Sequence, residues 1–276
     1  MEGQIVKIMS DTHFVSADHE VIPCKCRGKF RKQKKMPLVG DYVVFDKDQK
    51  IIEDILPRKN EFVRPAVSNI DQALLVTSLT QPEFSTNLLD KLLVMMEYKK
   101  VKPIICITKE DLLSKQKKKE LKPILKYYQK LGYLVVSNQK KRKIKRLFKG
   151  KTSVLTGQTG AGKSTLINRL NPELHLETGE ISLALGRGKH TTRTVQLLEF
   201  CSGKILDTPG FSSLEFQNLD KETIRSCFVE FQNYDCPYSD CFHLKERECR
   251  VKQAVKEGKI LPSRYENYQK IIEESR

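Results

Sequence analysis

Long apolar runs are missing from this chain of 276 residues. The longest, such as Ala73–Val76 and Ile104–Ile107, fall far short of the ~20 residues a bilayer-spanning helix needs. The first residues lack the apolar core of a signal peptide, so a soluble, cytoplasmic protein with no membrane partner is expected. Acidic residues are in deficit: 34 Asp and Glu against 50 Lys and Arg leave a formal net charge of +16. That imbalance implies a polyanionic partner, nucleic acid before membrane. Internal repeats and low-complexity tracts are absent, and tryptophan is absent too, which decides nothing about fold. A disulfide framework is disfavoured because the 8 cysteines are unevenly spread, three of them crowding around His243. The length exceeds what one globular core usually takes, so more than one domain is expected.

What is present falls into three textures. Within the first sixty or so residues, short alternating or apolar runs at Gln4–Ile8, Phe14–Val15, Val21–Cys26, Tyr42–Phe45 and Ile51–Leu56 suggest a small β-barrel of the oligonucleotide-binding kind, residues 1–63. Lys25–Lys35, basic and interleaved with Phe30, reads as a loop offered to a phosphate backbone or as a solvated basic loop. Residues 64–214 then alternate apolar strands with helical segments, the pattern of a parallel α/β sheet. Its strands are expected at Ala73–Thr77, Ile104–Thr108, Leu134–Ser137, Ser153–Thr156, Val195–Phe200 and Ile205–Asp207. Leu88, Leu89, Leu92, Leu93, Met95 and Met96 recur at helical spacing behind Thr86 and Asn87 as caps. Lys140–Lys151, with eight basic residues, reads as an RNA-facing loop or an exposed linker. Residues 215–276 form a mainly helical, metal-centred third domain, with Ile224, Cys227, Phe228 and Phe231 on one helix face and Tyr265, Tyr268 and Ile271 on a later one.

The segment Gly157-Gln158-Thr159-Gly160-Ala161-Gly162-Lys163-Ser164, between a strand and the helical Thr165–Leu170, matches the phosphate-binding loop pattern in full. Glycines let successive N–H groups turn toward phosphate oxygens, and the helix N-terminus adds its positive end. Lys163 is expected at the β/γ-phosphates and Ser164 on Mg²⁺. Asp207-Thr208-Pro209-Gly210 closes another strand, where Asp207 can hold the Mg²⁺ shell and the Gly210 N–H can sense a γ-phosphate. Between them, Gly186–Arg193 is basic, glycine-loosened and carries Thr191 and Thr192, either of which suits Mg²⁺ in one state of a switch. Thr108-Lys109-Glu110-Asp111 supplies base identity: Asp111 can accept from guanine N1 and N2, and Lys109 can lie over the ring. Ser137-Asn138 is placed to support the base from the other side.

Order is the diagnostic feature. Thr108–Asp111 precedes Gly157–Ser164, which precedes Asp207–Gly210, whereas an ordinary Ras-like GTPase begins with the phosphate loop. With a barrel before and a cysteine cluster behind, the whole chain resembles the bacterial ribosome small-subunit-dependent GTPase A family (RsgA, YjeQ, YloQ), which are circularly permuted GTPases. Threonine stands at 108 where asparagine is usual in GTPases. The resemblance implies a 30S-binding enzyme that hydrolyses GTP to GDP and phosphate, slow alone and stimulated by the subunit, in late small-subunit maturation. Its implied partners are 16S rRNA and other assembly factors, and a monomer is the simplest state.

Phe211 follows the Asp-x-x-Gly turn where many GTPases place a water-orienting glutamine, so His190 in the switch is the expected catalytic group. An RNA-binding module regulated by nucleotide but with negligible hydrolysis is the alternative; a P-loop ATPase or small-molecule kinase is opposed by Asp111. Cys236-x4-Cys241-x-His243-x5-Cys249 provides the three thiolates and one imidazole of a closed tetrahedral zinc shell, so one structural Zn²⁺ per chain is expected in addition to Mg²⁺ with GTP. Cys24 and Cys26 alternate along a strand and look incidental; Cys106, Cys201 and Cys227 look like buried packing residues.

Overall fold

The computed structural model describes residues 1–28, 30, 36–63, 65–174, 195–207 and 219–275. Five strands open the chain: β1 (Glu2–Met9), β2 (Thr12–Ala17), β3 (Glu20–Cys26), β4 (Tyr42–Asp46) and β5 (Ile51–Ile55). They form where the sequence alternates. Along β2, His13, Val15 and Ala17 are buried while Thr12, Phe14 and Ser16 are half-buried, the period of a sheet with one apolar face. The order β1-β2-β3-β5-β4, with β1 also pairing β4 at Gly3↔Val43, closes a five-stranded barrel. Side chains such as Ile5, Val15, Val43, Phe45 and Ile52 fill it. Phe30 joins this core at 1% exposure, which corrects its expected place on a nucleic-acid-facing loop. An aromatic ring flanked by cations is worth more to a barrel this small as core.

The remaining elements follow in chain order: β6 (Glu61–Phe62), β7 (Val67–Ser68), β8 (Gln72–Ser78), α1 (Thr86–Tyr98), β9 (Lys102–Thr108), α2 (Lys115–Lys130), β10 (Leu134–Ser137), α3 (Lys141–Phe148), β11 (Thr152–Thr156), α4 (Lys163–Leu170), β12 (Gln196–Phe200), β13 (Gly203–Asp207), α5 (Lys221–Ser226), α6 (Arg250–Lys256) and α7 (Pro262–Glu274). Short 3₁₀ turns lie at Glu110–Leu112, Pro172–Leu174 and Val229–Asn233. No helix among the described residues is long and apolar enough to cross a membrane.

The chain divides into two compact units. One comprises Met1–Ala73, Lys140–Leu155 and Lys163–Phe211. Here β11 runs parallel to β13 (Val154↔Leu206), β12 antiparallel to β13, and β12 pairs β1 of the barrel at Lys7↔Gln196. Lys204 Nζ donates to Gln4 Oε1 at 2.8 Å beside that seam. Lys140–Lys151, expected as loop or linker, contains the helix α3: Ile144 and Phe148, four residues apart, are both fully buried, and Phe148 packs edge-on against Phe200 at 4.7 Å. Cys201, expected to be buried, is half-exposed at a positive-φ turn between β12 and β13, where a hairpin reverses at the surface.

The other unit comprises Leu74–Gln139, Thr156–Gly162 and Ser212–Arg276. Strands β10, β9 and β8 lie side by side, β10 parallel to β9. Ser85, rather than Thr86 or Asn87, caps α1 by accepting from the Leu88 N–H at 3.2 Å. Ile224, Cys227, Phe228 and Phe231 are all buried as expected, yet on two pieces: α5 stops at Ser226 and a 3₁₀ turn carries Phe231. Val94 of α1 shares a core with these residues and with Val251, Tyr268 and Ile271. At its edge Arg264 is fully buried, bonded through Nη1 to Asp90 Oδ1 at 2.8 Å and through Nε and Nη2 to both Glu230 oxygens. Tyr128 Oη and Asn267 Nδ2 donate to Asp90 as well, so every buried charge in the group is met.

Candidate functional site

Strand β11 is buried throughout and delivers the chain to Gly157, whose φ is +138°. A Cβ there would lie 2.1 Å from the Val76 carbonyl oxygen, so only glycine lets the loop turn against β8. Gly160 and Gly162 also take positive φ, at +77° and +92°, and α4 begins at once with Lys163 and Ser164. Burial lowers the pKa of the Lys163 ammonium, the situation of a cation for which an anion is the natural companion. Ser164 is buried and Thr165 exposed.

Strand β9 ends at Thr108, after which Lys109 adopts φ +57° and a 3₁₀ turn presents Glu110 and Asp111. The Thr108 hydroxyl, 1% exposed, donates to the Ala161 carbonyl at 2.7 Å. The segment read as base-specific is thus tied directly to Gly157–Gly162, although 53 residues separate the bonded pair. Lys109 Nζ donates to the Gln81 carbonyl, and Pro82, next in chain, lies 3.6 Å from where a Cβ on Gly160 would be. The Asp111 carboxylate is exposed and without a hydrogen bond or ion pair among the described residues. The Asn138 N–H donates to the Ile107 carbonyl at 2.9 Å, which sets Ser137-Asn138 at the same end of the sheet as Thr108. Its Oδ1 is buried without a hydrogen-bond partner among the described residues, an acceptor open to an outside donor.

Asp207 ends β13, one residue past the Val154↔Leu206 pairing with β11; its side chain lies outside the described residues. So do Gly186–Arg193 with His190, Thr191 and Thr192, as well as Gly210 and Phe211.

A second site lies near the C-terminus. Cys236, Cys241, His243 and Cys249 bring their ligand atoms within 4.8 Å of one another. His243 Nδ1 is 3.6 Å from Cys236 Sγ and 3.3 Å from each of Cys241 Sγ and Cys249 Sγ, and Cys236 Sγ is 3.9 Å from Cys249 Sγ. Tetrahedral zinc with Zn–S of about 2.3 Å and Zn–N of about 2.0 Å sets its ligand atoms about 3.5–3.8 Å apart, so the four residues fit that ion. Burial, helped by the Arg225 charge, pushes the His243 imidazole down to about 4, which keeps it neutral as a metal ligand must be. Burial pushes the Cys241 thiol up to about 12, a penalty on its thiolate that a dication among the sulfurs removes.

The surroundings hold this cluster in shape. Glu246 accepts from the Phe242 and Leu244 N–H groups at 2.9 and 2.7 Å. Tyr268 and Tyr265 Oη donate to the Phe242 and His243 carbonyls, each at 2.6 Å. Cys249 also caps α6, accepting from the Lys252 N–H at 3.4 Å. These supports, like Gln81 at the first site, were not legible in the sequence. Ser137-Asn138 carried a faint signal as a polar pair closing a strand; Gln81 and Pro82 carried none, since pairing distant in sequence assigns them, and Glu246 none, since its acceptors serve a turn inside the metal-ligand loop.

Comparison with known proteins follows the same lines. Residues 55–217 match the family model described as RsgA GTPase, and residues 2–51 match that of the RsgA N-terminal domain. The small ribosomal subunit biogenesis GTPase RsgA of Bacillus velezensis is 47% identical over 287 residues, covering 99% of this chain and 97% of that one. RsgA 2 of Listeria monocytogenes is 46% identical over 282 residues, with 99% and 97% covered. Among solved structures, YloQ, a circularly permuted GTPase, superimposes with a TM-score of 0.83 at 38% identity, covering 99% of this chain and 94% of that one. YjeQ from Thermotoga maritima gives a TM-score of 0.86 at 37% identity, with 99% and 98% covered.

Proposed function

Because the chain belongs to the RsgA GTPase family and is therefore a GTP hydrolase, we propose that it binds the 30S ribosomal subunit and couples subunit-stimulated GTP hydrolysis to late small-subunit maturation. The observation that carries the nucleotide half of this reading is the Thr108 hydroxyl on the Ala161 carbonyl, which joins Thr108–Asp111 to the glycine loop in permuted order. Asp111 reads guanine N1 and N2, Lys109 flanks the ring, and Asn138 Oδ1 offers a further acceptor to the base. Backbone N–H groups of Gly157–Thr165 and the Lys163 ammonium hold the phosphates.

Ser164, Thr191 or Thr192, and Asp207 are the residues that would hold Mg²⁺, whose charge offsets that of the β- and γ-phosphates. Gly210 senses the γ-phosphate. His190 positions the attacking water; full stimulated turnover in His190→Ala would reject that role. Cys236, Cys241, His243 and Cys249 hold one structural zinc, with no open position for chemistry. The matched stretches 2–51 and 55–217 support a division into an RNA-binding barrel (1–63), a permuted GTPase domain (64–214) and a zinc domain (215–276). The protein acts as a cytoplasmic monomer on 16S rRNA, where other assembly factors also work.

The deciding experiment measures GTP and ATP turnover with and without small subunits. Expected is turnover selective for GTP and raised many-fold by subunits. Equal turnover with and without subunits would remove the ribosomal assignment while leaving a nucleotide-binding protein.

A further inference from the structure

Helix α3 violates the rules that ordinarily stabilise a short helix. No side chain caps its N-terminus and no acid sits in its first turn; Lys141, Arg142 and Lys143 crowd there instead, against the positive end of the helix dipole. Lys141 and Lys145, and Arg142 and Arg146, are like-charged pairs four residues apart, each about 6 Å from its mate and mutually repulsive. All five cations are exposed, as are Lys149 and Lys151 just beyond, and none has an ion-pair partner among the described residues. Some lysines elsewhere have an acidic partner, Lys47 with Glu20, Lys59 with Asp71, Lys91 with Glu274 and Lys259 with Glu257, whereas on α3 five cations sit within six residues with no acid among them. The uncompensated face is a departure from local optimality of the kind that marks functional surfaces.

Its apolar side decides what kind of polyanion it suits. A helix that lies on a membrane buries an apolar face among the lipids. On α3 that face is spent on the protein, since Ile144 and Phe148 are fully buried. The exposed charges are two guanidinium forks and several ammonium groups, with Lys141 and Lys145 on one turn-spaced row and Arg142 and Arg146 on the next, suited to the phosphates of a nucleic-acid strand.

We propose that α3 is a docking surface for an RNA backbone, separate from the barrel and carried by the GTPase portion of the chain. The contact is independent of base sequence, adds to affinity for the subunit and weakens as salt rises. It deepens the proposed function, since it rests on an RNA-containing partner.

The test compares the full-length protein with a Lys141→Gln, Lys145→Gln, Arg146→Gln variant, all three positions being exposed. Binding to small subunits and to a duplex RNA is followed across a salt series, with GTP-analogue binding as the control for folding. Expected is a loss of subunit affinity of about tenfold or more at low salt, and a salt dependence shallower by roughly one for each phosphate no longer neutralised, with GTP-analogue binding unchanged. Unaltered affinity and salt slope in the variant, with the parent binding tightly, would overturn the α3 assignment alone. A parent that binds neither subunits nor RNA would instead sink the functional reading beneath it. Parent binding to phosphatidylserine vesicles in preference to RNA would overturn the choice of partner.

Discussion

Threonine stands at position 108 where asparagine is usual in GTPases, and its hydroxyl ties the end of β9 to the glycine loop. Thr108→Val keeps the shape and removes the donor, leaving the Ala161 carbonyl unpaired in a buried setting. The expected cost is about 1–3 kcal/mol, seen as a lower melting temperature together with weaker binding of a GTP analogue. Arg264 is a sharper case. It and Asp90 have no exposed side-chain surface, and Glu230 has 4%. Arg264→Met therefore strands two carboxylates, and a loss of about 3–5 kcal/mol is expected in denaturant unfolding. Neither role was legible from sequence. Thr108 could be placed at the end of a strand by its apolar run, but its acceptor lies 53 residues away. Nothing in the spacing of Asp90, Glu230 and Arg264, 174 residues from first to last, announces that they meet.

At the scale of elements, the C-terminal helices rest on two supports of different kinds. One is the shared core of Val94, Phe228, Tyr268 and Ile271; the other is the Cys₃His cluster, whose loop is pinned by Tyr265, Tyr268 and Glu246. Zinc removal by a chelator, or Cys241→Ser, is expected to take the bound metal from one per chain to none. It should also unfold the segment from Cys236 to α6, read as rapid amide exchange there, while α7 stays protected by its core. Survival of slow exchange across Cys236–Cys249 without metal would show that the core alone holds the loop. That these four side chains gather was legible because thiol and imidazole spacing is chemically restrictive. The core was legible in part: Phe228, Tyr268 and Ile271 lie on the expected faces, whereas Val94 enters from α1 far upstream and was not foreseen. Helix α3 was missed for a different reason: among eight helical residues only Ile144, Leu147 and Phe148 are apolar, so charge hid the periodicity.

At the scale of the whole molecule, a net charge of +16 creates a long-range field that speeds encounter with a polyanion. The association rate with small subunits is expected to fall steeply between low and physiological salt, while turnover of the assembled complex changes little, because screening acts on approach rather than on a formed site. Rapid-mixing measurements over a salt series separate the two. Charge sign, motif order and the barrel's alternating strands were all readable before any coordinates. The seam between β1 and β12 was not, since nothing in Lys7 or Gln196 announces the other.

The buried triad also has a timetable. Asp90 leaves the ribosome 174 residues before Arg264, which at about 5–20 residues per second is a delay of roughly 10–35 s. Throughout that interval α1 holds a carboxylate whose destined counter-charge has not yet been made. Pairing of Asp90 must therefore wait until Arg264 has been made, so the unit that presents Thr108 and Asp111 cannot finish its packing before the segment with the Cys₃His cluster has also been synthesised.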